Sequence, residues 1–212
     1  WRFLFLGMKR LSILLLMGLG LAGVGCQSVY YDTMEKFGVH KREILVDRVE
    51  EAKESQEEAK EQFADAFEAF VSVAEVDLGD LKTTYDRLNA VFKDSEKKAK
   101  AVRERIDGVK SVAEALFEEW EEELGLYTSE TLRGSSEEQL ERTRALYTKL
   151  VGVMDNAESR MKPVLGAYRD QVLFLKHNLN AQAIAALNKT SIEIKDEVEA
   201  LIREMEASIE EA

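Results

Sequence analysis

Few side chains in this sequence are of a kind that does chemistry outright. There is one cysteine, Cys26, and there are two histidines, His40 and His177, against 41 Asp and Glu. A lone thiol cannot make an intramolecular disulfide or a thiolate metal site. Neither histidine sits in an H-E-x-x-H or Glu-x-x-His pattern, the spacings that put metal ligands on one helix face. The helix order set out below separates them as well, with His40 at the start of the first helix and His177 near the far end of the third. No metal, cofactor or catalytic constellation is therefore expected. Gly18, Gly20 and Gly23 match the G-x-G-x-x-G spacing, but they follow no strand and open no helix of a βαβ unit, so the match predicts no dinucleotide site.

Cys26 acquires a role from what precedes it. Through residue 25 the only charges are Arg2, Lys9 and Arg10, and residues 11–24 are almost entirely apolar or small. A basic segment, an apolar run and small residues before a cysteine make a secretory leader, shorter than the roughly 20 apolar residues of a membrane span. Residues 1–25 are read as that leader, with Met8 as the start of translation and Trp1–Gly7 as an over-extension or a fragment boundary. Gly23-Val24-Gly25-Cys26 resembles the lipobox of bacterial lipoproteins, in which the cysteine is acylated and becomes the new amino terminus. Gly23 stands where the motif usually has leucine. Gln27, rather than aspartate, after the cysteine implies the outer membrane of a Gram-negative cell. Each buried methylene contributes about 0.8 kcal/mol, so several acyl chains would anchor the protein durably.

The elements behind this anchor are helical. One proline in 212 residues and 33% charged residues are the composition of long helices. Residues 26–34 are read as a tether and 35–212 as one all-α domain, an elongated antiparallel bundle or coiled coil of three to four long helices, roughly 35–76, 80–124, 136–178 and 181–211. A seam with alternating steps of four and three runs Leu45, Val49, Ala52, Gln56, Ala59, Phe63, Ala66, Phe70, Val73, and another from Leu81 to Trp120 is interrupted only by Ser95. Asp77-Leu78-Gly79-Asp80 supplies a turn between them. A wider break spans Gly125 to Ser136 and closes on Ser135-x-x-Glu138, a capping-box pattern that starts the third helix near Ser136. Pro163 predicts a kink. After Tyr168 the seam slips, and it resumes cleanly only at Ile184. Either the chain turns near Asn180 into a fourth helix, the favoured reading, or one helix of roughly 75 residues, about 110 Å, continues to the end.

Two polar clusters invite sharper readings. Lys176-His177-Asn178-Leu179-Asn180 follows four consecutive apolar residues, Val172 to Leu175. It reads first as a buried bundle end packed beneath Val73, Val76, Leu78 and Leu81, with the asparagines as caps, and second as a distal tip where His177, Asn178 and Asn180 meet a partner. The acidic run Glu118 to Glu123 around Trp120 reads as a solvated face with Trp120 in the core. Removing the leader takes three positive charges away and changes the net charge from −12 to −15. Such a body has no basic stripe for phosphates, and no phosphate-binding loop motif is present, so nucleic acid is not an expected partner.

Three strings, Gly38 to Ala52, Ala115 to Trp120 and Leu175 to Ala181, together resemble an uncharacterised family of gammaproteobacterial lipoproteins built on a domain of unknown function. The resemblance covers nearly the whole chain after the leader. It implies a periplasmic helical lipoprotein and nothing about catalysis. The function expected is that of a structural or adaptor component of the cell envelope, held to the outer membrane through acyl chains on Cys26 and joined to a protein partner or to itself. The alternative is a module that binds a hydrophobic ligand or peptide in the bundle core or distal tip. A lysine-linked attachment to peptidoglycan is not expected from Ile209-Glu210-Glu211-Ala212.

Overall fold

A computed structural model describes residues 30–31, 34, 39–72, 81–178 and 181–212. The leader, Cys26, the turn at Asp77–Asp80 and Asn180 lie outside the described residues. The chain divides into two compact units, Trp1–Ile44 and Leu45–Ala212. In the first, the rings of Tyr30 and Tyr31 meet edge to face at 5.5 Å. The His40 carbonyl there accepts from the Glu43 and Ile44 amides, at 2.9 and 3.2 Å, opening the next helix.

Four helices follow: α1 (Lys41–Val71), α2 (Leu81–Leu124), α3 (Glu130–His177) and α4 (Ala181–Glu211). The all-α bundle expected from the heptad seams is the observed fold, and among the described residues there is no strand. Within Leu45–Ala212, cross-helix ion pairs report the directions. Glu51 meets Arg105 at 2.6 Å and Glu58 meets Lys98 at 2.6 Å, so rising numbers on α1 meet falling numbers on α2. Lys110 to Asp155 at 2.7 Å and Arg144 to Glu121 at 2.6 Å do the same for α2 and α3. Lys149 to Glu211 at 2.6 Å and Arg160 to Glu204 at 4.0 Å complete the antiparallel order for α3 and α4. Pairs this exposed add little energy individually; their sign pattern favours one pairing of faces over others.

The stability lies in the seams. On α1 two rows with a step of seven alternate in size. Ala52, Ala59 and Ala66 form one, Gln56, Phe63 and Phe70 the other, and all six are fully buried. Small residues bring helix backbones close, and the large ones fill the layers between them. Phe70 stacks on Tyr168 of α3 at 4.5 Å with planes 10° apart, Phe63 lies 6.3 Å from the same ring, and the Tyr168 hydroxyl donates to the Phe63 carbonyl at 3.1 Å. A buried phenol thus has its polar end satisfied. Burial also raises the ionisation of Tyr168 well above the ordinary phenol value.

Three expectations need correction. The first concerns α1, expected over 35–76: residues 39 and 40 are not helical and the helix runs Lys41–Val71, while 35–38 and 73–76 lie outside the described residues. The second concerns α3, which begins at Glu130, six residues before the predicted Ser136. Its cap is Ser129, in extended conformation, whose hydroxyl accepts from the Leu132 amide at 3.4 Å. Ser135 and Ser136 lie inside the helix. The Ser136 hydroxyl accepts from Trp120 Nε1 at 2.8 Å, so the residue expected to open the helix is instead a bridge between α2 and α3. The third concerns the seam directly after Tyr168, which continues to Leu175, so the break in it falls only where α3 ends. Gln171 is buried at the seam position with Val172 and Leu175 beside it, and an apolar-only pattern skips over it. Helix α3 runs unbroken through Pro163 and ends at His177, and α4 starts at Ala181, as the favoured two-helix reading has it.

Candidate functional site

The distal polar cluster resolves into ordinary helix-end chemistry. Asn178 caps α3: its amide donates to the Leu175 carbonyl at 3.2 Å and its side-chain Nδ2 to the Phe174 carbonyl at 2.9 Å. These bonds satisfy two of the carbonyls a helix leaves open at its end. His177 is exposed, and Asn180 is outside the described residues. Of the four apolar residues before the cluster, Val172 and Leu175 are buried while Leu173 and Phe174 are substantially exposed. The buried-end reading therefore holds for half of them. Its proposed partners Val73, Val76 and Leu78 lie outside the described residues. His40, in the other unit, is exposed too, and no group of three or more His, Cys, Asp or Glu among the described residues could hold a metal ion.

The opposite end of the Leu45–Ala212 unit is different. Helices α2 and α3, 44 and 48 residues long, exceed the 31 residues of α4. They join through a short turn, 125–129, tightened by the Gly125 and Leu126 amides donating to the Glu122 and Glu123 carbonyls at 3.2 and 2.9 Å. A small core of Ala113, Phe117 and Leu140 holds the hairpin together, with Leu45, Trp120, Leu124 and Tyr147 packed on it. Phe117 meets Tyr147 edge to face at 5.4 Å, and the Arg144 guanidinium lies 5.1 Å over the Phe117 ring. Trp120 is anchored at both ends, by packing and by Ser136. The expectation of a solvated acidic face around a packed Trp120 fits this arrangement.

Beyond that core the hairpin presents large apolar side chains outward. Leu126 is 79% exposed, Leu132 60% and Tyr127 43%, and Glu123, Leu126 and Tyr127 border a shallow cleft of about 240 Å³. Residues 118–141 hold nine carboxylates and a single base, Arg133. Arg133 pairs with Glu130, and Arg142 and Arg144 from just beyond pair with Glu138 and Glu121. The Arg144 contact holds the Glu121 carboxyl below its usual range. Sequence reasoning missed this end because it searched for polar residues, and the distinguishing signal is apolar: Leu126, Tyr127 and Leu132 in and beside a turn that needs no hydrophobic residue.

A second feature is a groove of about 560 Å³ where α1, α3 and the end of α4 meet. Leu45, Val49, Leu146, Tyr147 and Leu150 form its walls, with Lys53 and Glu50 at its margin. Leu146 is 67% exposed.

The family model described as protein of unknown function (DUF2959) matches residues 30–212. The chain belongs to this family. The match takes in all four helices, the hairpin end and the groove. No curated protein and no solved structure matches the chain. Among the described residues, no helix is long and apolar enough to cross a membrane.

Proposed function

We propose that this DUF2959 member is a lipid-anchored adaptor on the periplasmic face of the outer membrane of a Gram-negative, gammaproteobacterial cell. The lipobox-like Gly23-Val24-Gly25-Cys26 supports the anchor, and Gln27 supports the outer rather than the inner membrane. The observation that carries the adaptor role is the outward display of Leu126, Tyr127 and Leu132 on a tight, helix-backed turn. Exposed apolar residues gathered at one rigid place mark interaction surfaces more often than reactive ones. Acyl chains on Cys26 join the protein to the membrane, and the bundle offers itself to a protein partner or to another copy.

The decisive experiment replaces Cys26 by serine and fractionates the cells. Wild type is expected with the outer membrane and the variant in the soluble periplasm; a variant that stays with the outer membrane refutes the anchor. Photo-crosslinking residues placed over the bundle surface, followed by identification of the captured protein, then test the adaptor role.

The groove between α1, α3 and α4 favours a second reading, a module that holds a hydrophobic ligand or peptide. Native mass spectrometry separates the two readings: a co-purifying mass that Leu146→Asp removes supports the binding module.

A further inference from the structure

The apolar turn between α2 and α3 has a definite electrostatic setting, and that setting selects its occupant. Residues 118–141 carry a net charge of −8, two thirds of the −12 of the whole sequence, on roughly a tenth of its length. Glu118, Glu122, Glu123, Glu137 and Glu141 have no ion-pair partner among the described residues, and all five are exposed. Leu126 and Leu132 stand between these carboxylates, and the turn that carries them is held by the Ser129 cap and the Trp120–Ser136 bond. An apolar anchor on a fixed backbone loses little entropy on docking. A rim of one charge sign steers partners of the opposite sign and repels its own.

We propose that the α2–α3 turn is a docking tip for a basic polypeptide surface, one with an apolar recess for Leu126 and Leu132 ringed by lysine or arginine. The proposal rests on the adaptor reading and names the chemistry of its partner. A second copy of this chain would bring −8 against −8 at the same place. An anionic lipid surface would meet the same repulsion. The tip therefore engages neither.

The test uses the purified protein without its leader, in which Trp120 is the sole tryptophan and reports from beside the tip. The probe is a tryptophan-free helical peptide with leucines on one face and lysines on the other. A saturable change in Trp120 emission is expected, weakening about tenfold as salt rises from roughly 0.05 to 0.2 M, because exposed charge attraction is screened over that range. Leu126→Asp with Leu132→Asp, and separately Glu122→Lys with Glu123→Lys, are each expected to weaken binding about tenfold or more. Glu197→Lys with Glu210→Lys, an equal charge reversal on α4, is expected to leave affinity within about twofold. All variants are compared at matched helicity and thermal midpoint.

Equal losses from the α4 reversal would mean diffuse charge attraction and overturn the proposal. So would an affinity unchanged by the aspartates, binding to phosphatidylglycerol vesicles through the tip, or a dimer that Leu126→Asp dissolves. A photo-crosslinker at Leu126 gives the cellular counterpart. Capture of a protein whose purified form binds wild type but not Leu126→Asp, with the same salt dependence, supports the tip. Crosslinks confined to other faces of the bundle overturn the tip while leaving the adaptor reading standing.

Discussion

Gln56 is expected to be one of the rare core positions where a natural side chain makes the protein less stable than a simple hydrocarbon would. Its residue is fully buried, and neither Oε1 nor Nε2 has a hydrogen-bond partner among the described residues. A buried polar group left without a partner costs about 1–3 kcal/mol, and this amide presents two such atoms. Leucine keeps most of the volume and removes both. The substitution Gln56→Leu is expected to stabilise the fold by about 1–3 kcal/mol after imperfect packing of the branched chain is allowed for. For a chain of this size that corresponds to a rise of roughly 2–12 °C in thermal midpoint. The assay is urea unfolding followed by circular dichroism, with midpoint and slope both fitted, because a changed slope would signal a change in the unfolded state. Gln62 is the control: it is half-buried, and its Nε2 donates to Ser95 Oγ at 3.4 Å and to the Val91 carbonyl at 3.5 Å. Gln62→Leu is expected to be neutral or mildly destabilising. A Gln56→Leu protein that is less stable than wild type by about 1 kcal/mol or more would refute the reasoning, since it would mean that the amide is satisfied in the folded protein.

Other outcomes follow from single contacts. Tyr168→Phe keeps the stack on Phe70 and loses one hydrogen bond, so a cost of about 0.5–1.5 kcal/mol is expected, whereas Tyr168→Ala is expected to cost about 3–5 kcal/mol by leaving a cavity; both are read by denaturant unfolding. The pH dependence of Tyr168 has a definite sign. Its ionisation is raised in the folded state, so its contribution is fully present below the ordinary phenol value of 10.0 and is lost as pH climbs above it; absorbance at 295 nm should show this phenol titrating only as the bundle unfolds. Ser129→Ala is expected to cost about 1 kcal/mol as a lost N-cap, and Ser135→Ala, inside the helix, to be close to neutral, with amide hydrogen exchange at 130–134 as the local readout. Glu58 and Glu121 are held below the usual carboxyl value of 4.5 by Lys98 and Arg144, so their contribution is present above that value and fades as pH falls through their lowered range. Glu58→Gln with Glu121→Gln should flatten the acid limb of the thermal midpoint against pH.

Much of this architecture is legible in the heptads. The seams through Ala52 to Phe70 and through Leu88 to Trp120 name the core because a helix that buries one stripe must repeat it every three or four residues. What stays hidden follows from the same rule. Gln171 occupies a seam position as a polar residue, and reading only apolar letters turns a continuous stripe into an apparent break. Ser135, with Glu138 three residues on, carries a stronger capping signal in sequence than Ser129, which has Leu132 at that place. The choice between them is made across the hairpin, where Trp120 needs Ser136 at a fixed height on α3. Gly134 between them looks like a helix terminator, yet a side chain placed there would meet nothing within 4 Å, so it sits on an open helix face. Its cost of about 1 kcal/mol relative to alanine is small against a 48-residue helix. The hairpin end is legible only in apolar letters: Leu126, Tyr127 and Leu132 stand in and beside a turn that needs none, and a search for polar chemistry passes over them.

The alternation on α1 has a consequence for how the chain finds its place while folding. Ala52, Ala59 and Ala66 are interchangeable under a displacement of one heptad, about 10 Å along the axis, and so are Phe63 and Phe70. A sliding α1 would therefore meet a near-copy of its own surface at every seven residues, the kind of degeneracy that traps coiled coils in wrong alignments. Gln56 breaks the translation. Shifted by one heptad, its amide would replace the ring of Phe63 beside Tyr168, so the aromatic layer would be lost. A side chain that weakens the finished structure thereby acts as a phase mark, distinguishing the native alignment from its nearest counterfeit.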